Sequence, residues 1–214
     1  MLKFGLVCEG VTDQAVIENI LCGFYNDSGL RNEIKVFQPL FDATQRKQLE
    51  GEFGGWEELM KHLSTKRFRE SVVNTEYMII QIDTDISEHK NFDVSQHDLS
   101  TEELIKKVIE RLIAQIDSNK EFYQKYKERI IFAISVHSLE CWILPIYKSY
   151  RNEKVSGCFG TLERESKKIK VFKDYNTYTK LSQDFLKKKK LMKVVSQNSS
   201  FQIFVDALPK DIKN

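Results

Sequence analysis

Tyr77-Met78-Ile79-Ile80-Gln81-Ile82-Asp83-Thr84-Asp85 is the stretch from which the rest of the chain is read. Tyr77 to Ile82 is the strongest strand signal in the sequence, and it ends in two carboxylates one residue apart. Short apolar runs bounded by polar residues are the mark of strands packed inside a sheet. Where such a sheet is open and parallel, ligand sites form at the carboxyl ends of its strands. The order of elements on either side of this run shows which kind of sheet it belongs to.

Toward the N-terminus, Leu2 to Cys8 is a second apolar run, suited to a strand buried on both faces and ended by Glu9-Gly10. Thr12 is placed to cap a helix with Asp13 in its first turn, and Val16, Ile17, Ile20 and Leu21 recur at helical spacing. Asn26 to Asn32, with Gly29, reads as a turn, and Ile34 to Phe37 as a short strand stopped by Pro39. Phe41 to Gly55 is polar, a loop or partly helical insertion. Gly54-Gly55 then precede a helix with Trp56, Leu59, Met60 and Leu63 on one face.

Toward the C-terminus, Ile86 to Asp98 is a polar loop. Ser100 and Glu103 form a capping box for a long amphipathic helix through Leu104, Ile105, Val108, Ile109, Leu112 and Ile116. Ile130 to Ile134 is a further strand, and Ser138 leads into a helix through Glu140, Trp142, Ile143 and Ile146 that Pro145 should bend or shorten. Strands alternating with helices predict a parallel α/β sheet flanked by helices, Rossmann-like, over residues 1–150. The alternation then stops. Residues 151–214 read as a basic, mainly helical C-terminal extension packed on that domain, anchored by Leu181, Phe185, Phe201, Phe204, Val205 and Leu208.

With 41% hydrophobic and 30% charged residues, the 214-residue chain has the composition of a globular protein, which excludes a disordered or fibrous one. No apolar run reaches the ~18 residues of a membrane helix, and the first strand is too short for a signal peptide. The four cysteines, Cys8, Cys22, Cys141 and Cys158, form no CxxC pair. They predict free thiols in a reducing cytoplasm and no structural zinc. Lys148 to Lys193 holds fourteen Lys and Arg against five Asp and Glu, a local +9 that leaves the remainder at −7. Such asymmetry suggests a polyanion partner, with Lys187, Lys188, Lys189 and Lys190 as nucleic-acid contacts. A solvated lysine-rich surface explains the same run as well.

The chemistry concentrates in the acids. Glu9 follows the first strand, Asp83 and Asp85 the strongest, and Glu140 opens the helix after the last. Four carboxylates at one sheet edge repel one another unless a cation joins them, and oxygen-only ligands select Mg²⁺ or Mn²⁺, with Glu9, Asp83 and Asp85 as the expected metal ligands. An isolated Asp-x-Asp is more readily a capped turn than a metal site, and Glu9 alone a polar strand end. Together, on separate strands, they are far more specific. His137, just before a helix, is more readily a packing or capping residue than a substrate contact, and Trp142 more readily core than a base-stacking platform.

Val7-Cys8-Glu9-Gly10-Val11-Thr12-Asp13 resembles the first TOPRIM motif, and Ile80-Gln81-Ile82-Asp83-Thr84-Asp85 the second. The segment Ser135 to Leu144 is similar to one in RloB-like proteins. Asn198-Ser199-Ser200-Phe201-Gln202-Ile203-Phe204 followed by Leu208 is similar to the C-terminal end of related bacterial TOPRIM families, which often accompany an ATPase gene in phage defence, as the AriB-like TOPRIM subunit does in PARIS systems. The resemblance implies a TOPRIM-like fold in which Glu9 is a general acid or base, Asp83 and Asp85 hold magnesium, Glu140 completes the site, and Gly10, Asp13 and His137 support it. It implies a Mg²⁺-dependent nuclease, DNA or RNA as partner, and the effector role of an anti-phage defence system with a separate ATPase subunit. This chain contains no GxxxxGK[ST] loop and so, unlike OLD-type nucleases, carries no ATPase of that kind. A homodimer is left open. The alternative is a non-catalytic interaction subunit that docks an ATPase or a nucleic acid. A phosphatase ranks lower, because there the Asp-x-Asp follows the first core strand. A sugar transferase lacks a visible nucleotide-sugar signature here.

Overall fold

The computed structural model describes residues 2–39, 55–149, 153, 155–167 and 169–212. β1 (Leu2–Val7), β2 (Ile34–Gln38), β3 (Thr75–Asp83) and β4 (Ile130–Ser135) form one parallel sheet in the order β2-β1-β3-β4. The helices are α1 (Val11–Tyr25), α2 (Trp56–Leu63), α3 (Lys66–Val73), α4 (Thr101–Ile116), α5 (Glu121–Tyr126), α6 (Glu140–Ile143), α7 (Cys158–Glu165), α8 (Tyr175–Leu181), α9 (Lys188–Val195) and α10 (Ser199–Asp206). This is the expected α/β architecture, a Rossmann-like parallel sheet with helices on both faces.

The two-residue period of the strands divides the core. Phe4, Leu6, Cys8, Ile79, Ile131 and Ala133 face α1, α6 and the C-terminal helices. Val7, Met78, Ile80, Ile82, Ile130 and Ile134 face α2, α3 and α4. The crossover from β1 to β2 thus lies on one face and those that follow β2 on the other. The gap between β1 and β3 is the topological switch point, where such sheets open a crevice for ligands. Register pairs Val7 with Ile80 and Asp83 with Ser135, so β1, β3 and β4 end at one edge.

Helix α1 departs from the one-sided burial that its spacing suggests. Asp13 to Gly23 are buried throughout, because α1 lies between the sheet and the later helices α8 and α9. Its backbone approaches that layer so closely that a Cβ on Gly23 would lie 1.7 Å from the Phe185 carbonyl oxygen. Only glycine fits there. The apolar anchors named in the C-terminal region therefore share one core with β1 and α1. Trp142 belongs to it too, stacked on Phe201 at 4.7 Å and Phe204 at 5.5 Å, with Nε1 donating to Ser200 Oγ at 2.8 Å.

The polar loop after Asp85, the Ser100–Glu103 capping box and the shortening at Pro145 all appear: α6 is four residues long and passes into a 3₁₀ turn over Leu144–Ile146. Other details differ. Thr12 is not the cap of α1. Gly10 takes that position, its N–H donating to Asp13 Oδ2 at 2.7 Å. Gly10 is extended, at φ −139°, so it supplies room beside Asp13 and not a special turn. Helices α3 and α5 were not expected. In α3 the Thr65 hydroxyl accepts from Phe68 N, and Phe68 and Val72 are buried. The cysteines are not all free: Cys141 and Cys158 are joined in a disulfide, while Cys8 and Cys22 are buried thiols. Sequence spacing held no sign of the bond, because the fold alone brings α7 beside α6. The expected polar insertion from Phe41 lies outside the described residues up to Gly55.

Candidate acid site at the sheet edge

A cleft of about 290 Å³ opens at the switch point, lined by Glu9, Gly10, Thr12, Asp13, Gly55, Asp83, Asp85, His137, Ser138, Glu140, Gly157, Cys158, Phe159 and Lys173. All four acids singled out in the sequence line it, joined by Asp13. Glu9 follows β1, and its backbone N–H donates to Gln81 Oε1 at 3.1 Å while its carbonyl accepts from Gly55 N at 2.8 Å. Its carboxylate accepts from Asp83 N at 3.4 Å. Gln81 lies on the same strand face as Asp83, two residues before it, and donates from Nε2 to Asp83 Oδ1 at 3.0 Å. One wholly buried amide thus ties the end of β1 to the end of β3.

Beyond Asp83 the ladder to β4 continues into the loops. Thr84 N donates to Ser135 O, Asp85 N to His137 O, and His137 N to Thr84 Oγ1 at 2.7 Å. His137 reaches this bond with φ at 63°, a left-handed conformation that is uncommon outside glycine and tends to cluster at ligand sites. Its Nδ1 is buried without a hydrogen-bond partner among the described residues, and so is Ser135 Oγ, next to Asp83 in the register.

The electrostatics follow from burial. Loss of solvent raises the Glu9 carboxyl from 4.5 to about 7; the Asp83 N–H opposes the shift, and the charges of Asp85 and Glu140 add to it. Asp13 and Asp83 are pushed well above the carboxylate range, first by burial and then by the neighbouring acids. The exposed Asp85 is raised by partial desolvation, with His137 opposing. Lys173, in the loop before α8, stands 4.9 Å from the Phe159 ring centre, and its charge lowers Glu9, Asp13 and Asp85. The Glu140 carboxylate accepts from the buried Tyr178 hydroxyl at 2.5 Å.

Five carboxylates with neutral hydrogen-bond donors form a donor set whose chemistry fits a hard divalent cation. Among the described residues no group of three or more His, Cys, Asp or Glu side chains is gathered closely enough to hold an ion as placed. Mg²⁺ does not require one, since it keeps several waters and is commonly held by one or two carboxylates and a phosphate.

Lys187 to Lys190 do not line the cleft. Lys187 caps α9 and the other three begin it, all four exposed, with Lys190 paired to Asp184 at 2.7 Å. Sequence reasoning missed Gln81, Lys173 and Tyr178. A polar residue inside the strongest strand was the available signal for Gln81; the other two offered none. No helix among the described residues is long and apolar enough to cross a membrane. No protein-family model matches the chain, and neither the curated proteins nor the solved structures include a match to it.

Proposed function

We propose that the protein is a Mg²⁺- or Mn²⁺-dependent nuclease of the TOPRIM type. The observation that carries this reading is the gathering of Glu9, Asp13, Asp83, Asp85 and Glu140 at the β1/β3 switch point. A charge cluster of that kind is costly unless protonation, a cation or substrate relieves it.

Glu9, Asp83 and Asp85 are the residues to hold the ion, with Glu140 and Asp13 completing the acid wall. The ion would supply Lewis-acid stabilisation of phosphoryl oxygens and an activated water. Glu9, which lines the cleft beside Asp83, is the candidate to take a proton from that water. Gln81 keeps Glu9 and Asp83 in register. Lys173 offsets the negative charge of an entering phosphate, and exposed lysines of α9 hold more distant backbone electrostatically.

The test is incubation of the purified protein with supercoiled DNA, single-stranded DNA and structured RNA in Mg²⁺, in Mn²⁺ and in EDTA, beside calorimetric titration with Mn²⁺ alone. Cleavage of one substrate class in metal and none in EDTA is the expected result. A protein that binds no Mn²⁺ sinks the reading. It would favour the second one, a non-catalytic subunit that docks nucleic acid or an ATPase, for which the supporting observation is that no three-ligand group is gathered among the described residues.

A further inference from the structure

The Glu140 carboxylate sits on a four-residue helix whose start has no side-chain cap, so α6 itself does little to fix it. It is 8% exposed and lines the cleft with four other acids. The hydrogen bond it accepts comes from 38 residues downstream, from the hydroxyl of Tyr178, which is 1% exposed.

Helix α8, which carries Tyr178, is itself held in place. Asp174 caps it, accepting from Thr177 N at 2.9 Å and from the Thr177 hydroxyl. Asn19 of α1 donates from Nδ2 to Thr179 O at 3.0 Å and to Ser182 Oγ at 2.8 Å, and its Oδ1 accepts from Arg31. Arg31 also pairs with Glu18, which accepts from the Tyr175 hydroxyl. The helix that begins at Gly10 in the cleft is thus bolted to the helix that presents Tyr178.

We propose that Tyr178 is a positioning residue, whose hydroxyl holds the Glu140 carboxylate at the cleft without neutralising it and makes the C-terminal helices part of the acid site. The inference rests on the metal-dependent reading above. Its physical core is the choice of donor. A lysine or arginine at 178 would satisfy a buried carboxylate more strongly, but would cancel the charge that attracts a cation. A phenol fixes the side chain and leaves the charge. Gln81 treats Asp83 in the same way, with a neutral amide. Hydrogen-bonding partners of metal-binding carboxylates commonly set affinity in this manner.

The experiment is Mn²⁺ binding by titration calorimetry on wild type, Tyr178→Phe, Glu140→Gln and the double variant, each with a thermal melt in EDTA. Tyr178→Phe should weaken Mn²⁺ binding about 10-fold. It should raise the Mg²⁺ concentration needed for half-maximal cleavage by more than it lowers the rate at saturating Mg²⁺. In the Glu140→Gln background the same change should leave Mn²⁺ affinity unaltered, because there is no carboxylate left to place. Unchanged Mn²⁺ affinity in Tyr178→Phe with a lowered midpoint overturns the proposal and leaves Tyr178 a core residue. Equal, additive losses in the two backgrounds overturn it too. Wild type that binds no Mn²⁺ removes the metal reading and this inference with it. Should Tyr178→Phe fail to fold, 3-fluorotyrosine at 178 keeps the hydroxyl. Its fluorine resonance should move when Mg²⁺ is added, and a resonance that stays fixed in Mg²⁺-binding protein overturns the proposal.

Discussion

The acids at the sheet edge and the lysines from 187 to 190 are the two plainest charge signals in the chain, and the fold treats them in opposite ways. The acids come from separate elements, with Glu9 and Asp83 74 residues apart, and meet in one cleft where burial raises Glu9, Asp13 and Asp83. The lysines are adjacent in sequence and lie on the exposed turn that opens α9, with Lys190 paired to Asp184 at the surface and Lys188 over the Phe24 ring. Like charges brought together out of water store repulsion that a ligand can relieve. Like charges spread over solvent store almost none, and act at most through long-range attraction. Converging charge is therefore the better pointer to chemistry, and contiguous charge to general adhesion.

The sharpest way to break this contrast is Glu9→Gln. Loss of the candidate base should lower Mg²⁺-dependent cleavage by ~100-fold or more, while the midpoint in EDTA stays level or rises as repulsion is relieved. Rate measurements beside melts of the same samples check both halves, and a lowered midpoint with normal cleavage would place Glu9 among structural residues.

A second measurement is the pH dependence of stability without metal. The folded-state carboxyl of Glu9 is raised from 4.5 to about 7, and those of Asp13, Asp83 and Asp85 move the same way. Folding therefore favours the protonated forms. The benefit is full below the unfolded values and is lost as pH rises through the folded ones. From pH 8 to pH 5.5 the midpoint in EDTA should rise by at least ~3 °C, the shift that about 1 kcal/mol gives a chain of this size. Mg²⁺ at pH 8 should restore part of that rise. A midpoint that falls steadily with acid would contradict the electrostatics of the cleft.

Glu140→Gln should have a smaller effect, a ~10-fold loss of cleavage, or about 1.4 kcal/mol of transition-state stabilisation. Its midpoint in EDTA should be level or raised, since a glutamine oxygen still accepts from Tyr178. Wild-type cleavage with a lowered midpoint would reduce Glu140 to a buried polar partner of α8.

The smallest effect belongs to the lysines. Replacing Lys187, Lys188, Lys189 and Lys190 by Gln should leave stability within ~0.5 kcal/mol and cleavage at saturating substrate unchanged. The slope of log affinity against log salt should flatten by at most ~0.9 for each phosphate of duplex DNA that these lysines neutralise. An unchanged slope would make the run ordinary solvated surface, and a collapse in cleavage rate would bring it into the site after all.

The strands, their parallel arrangement and the placing of Glu9, Asp83 and Asp85 at strand ends were all legible in the sequence. Apolar period, capping boxes and the interruption of a run by acids are local patterns, and local patterns survive without knowledge of the fold. The Ser100–Glu103 box and the stop at Pro145 belong to the same class. Tertiary structure alone decided the rest. Nothing near Tyr178 in the chain announces that its hydroxyl will meet Glu140, and nothing near Lys173 that it will face Glu9 and Asp85. Cys141 and Cys158 looked like free thiols until α6 and α7 were placed side by side. The Tyr178 and Lys173 pairings require loops to close over tens of residues, and packing of α8 against α1 is what closes them, whereas the disulfide closes a 17-residue span between α6 and α7. A sequence displays what each segment can bury, but which donor reaches which acid is settled only when the layers stack.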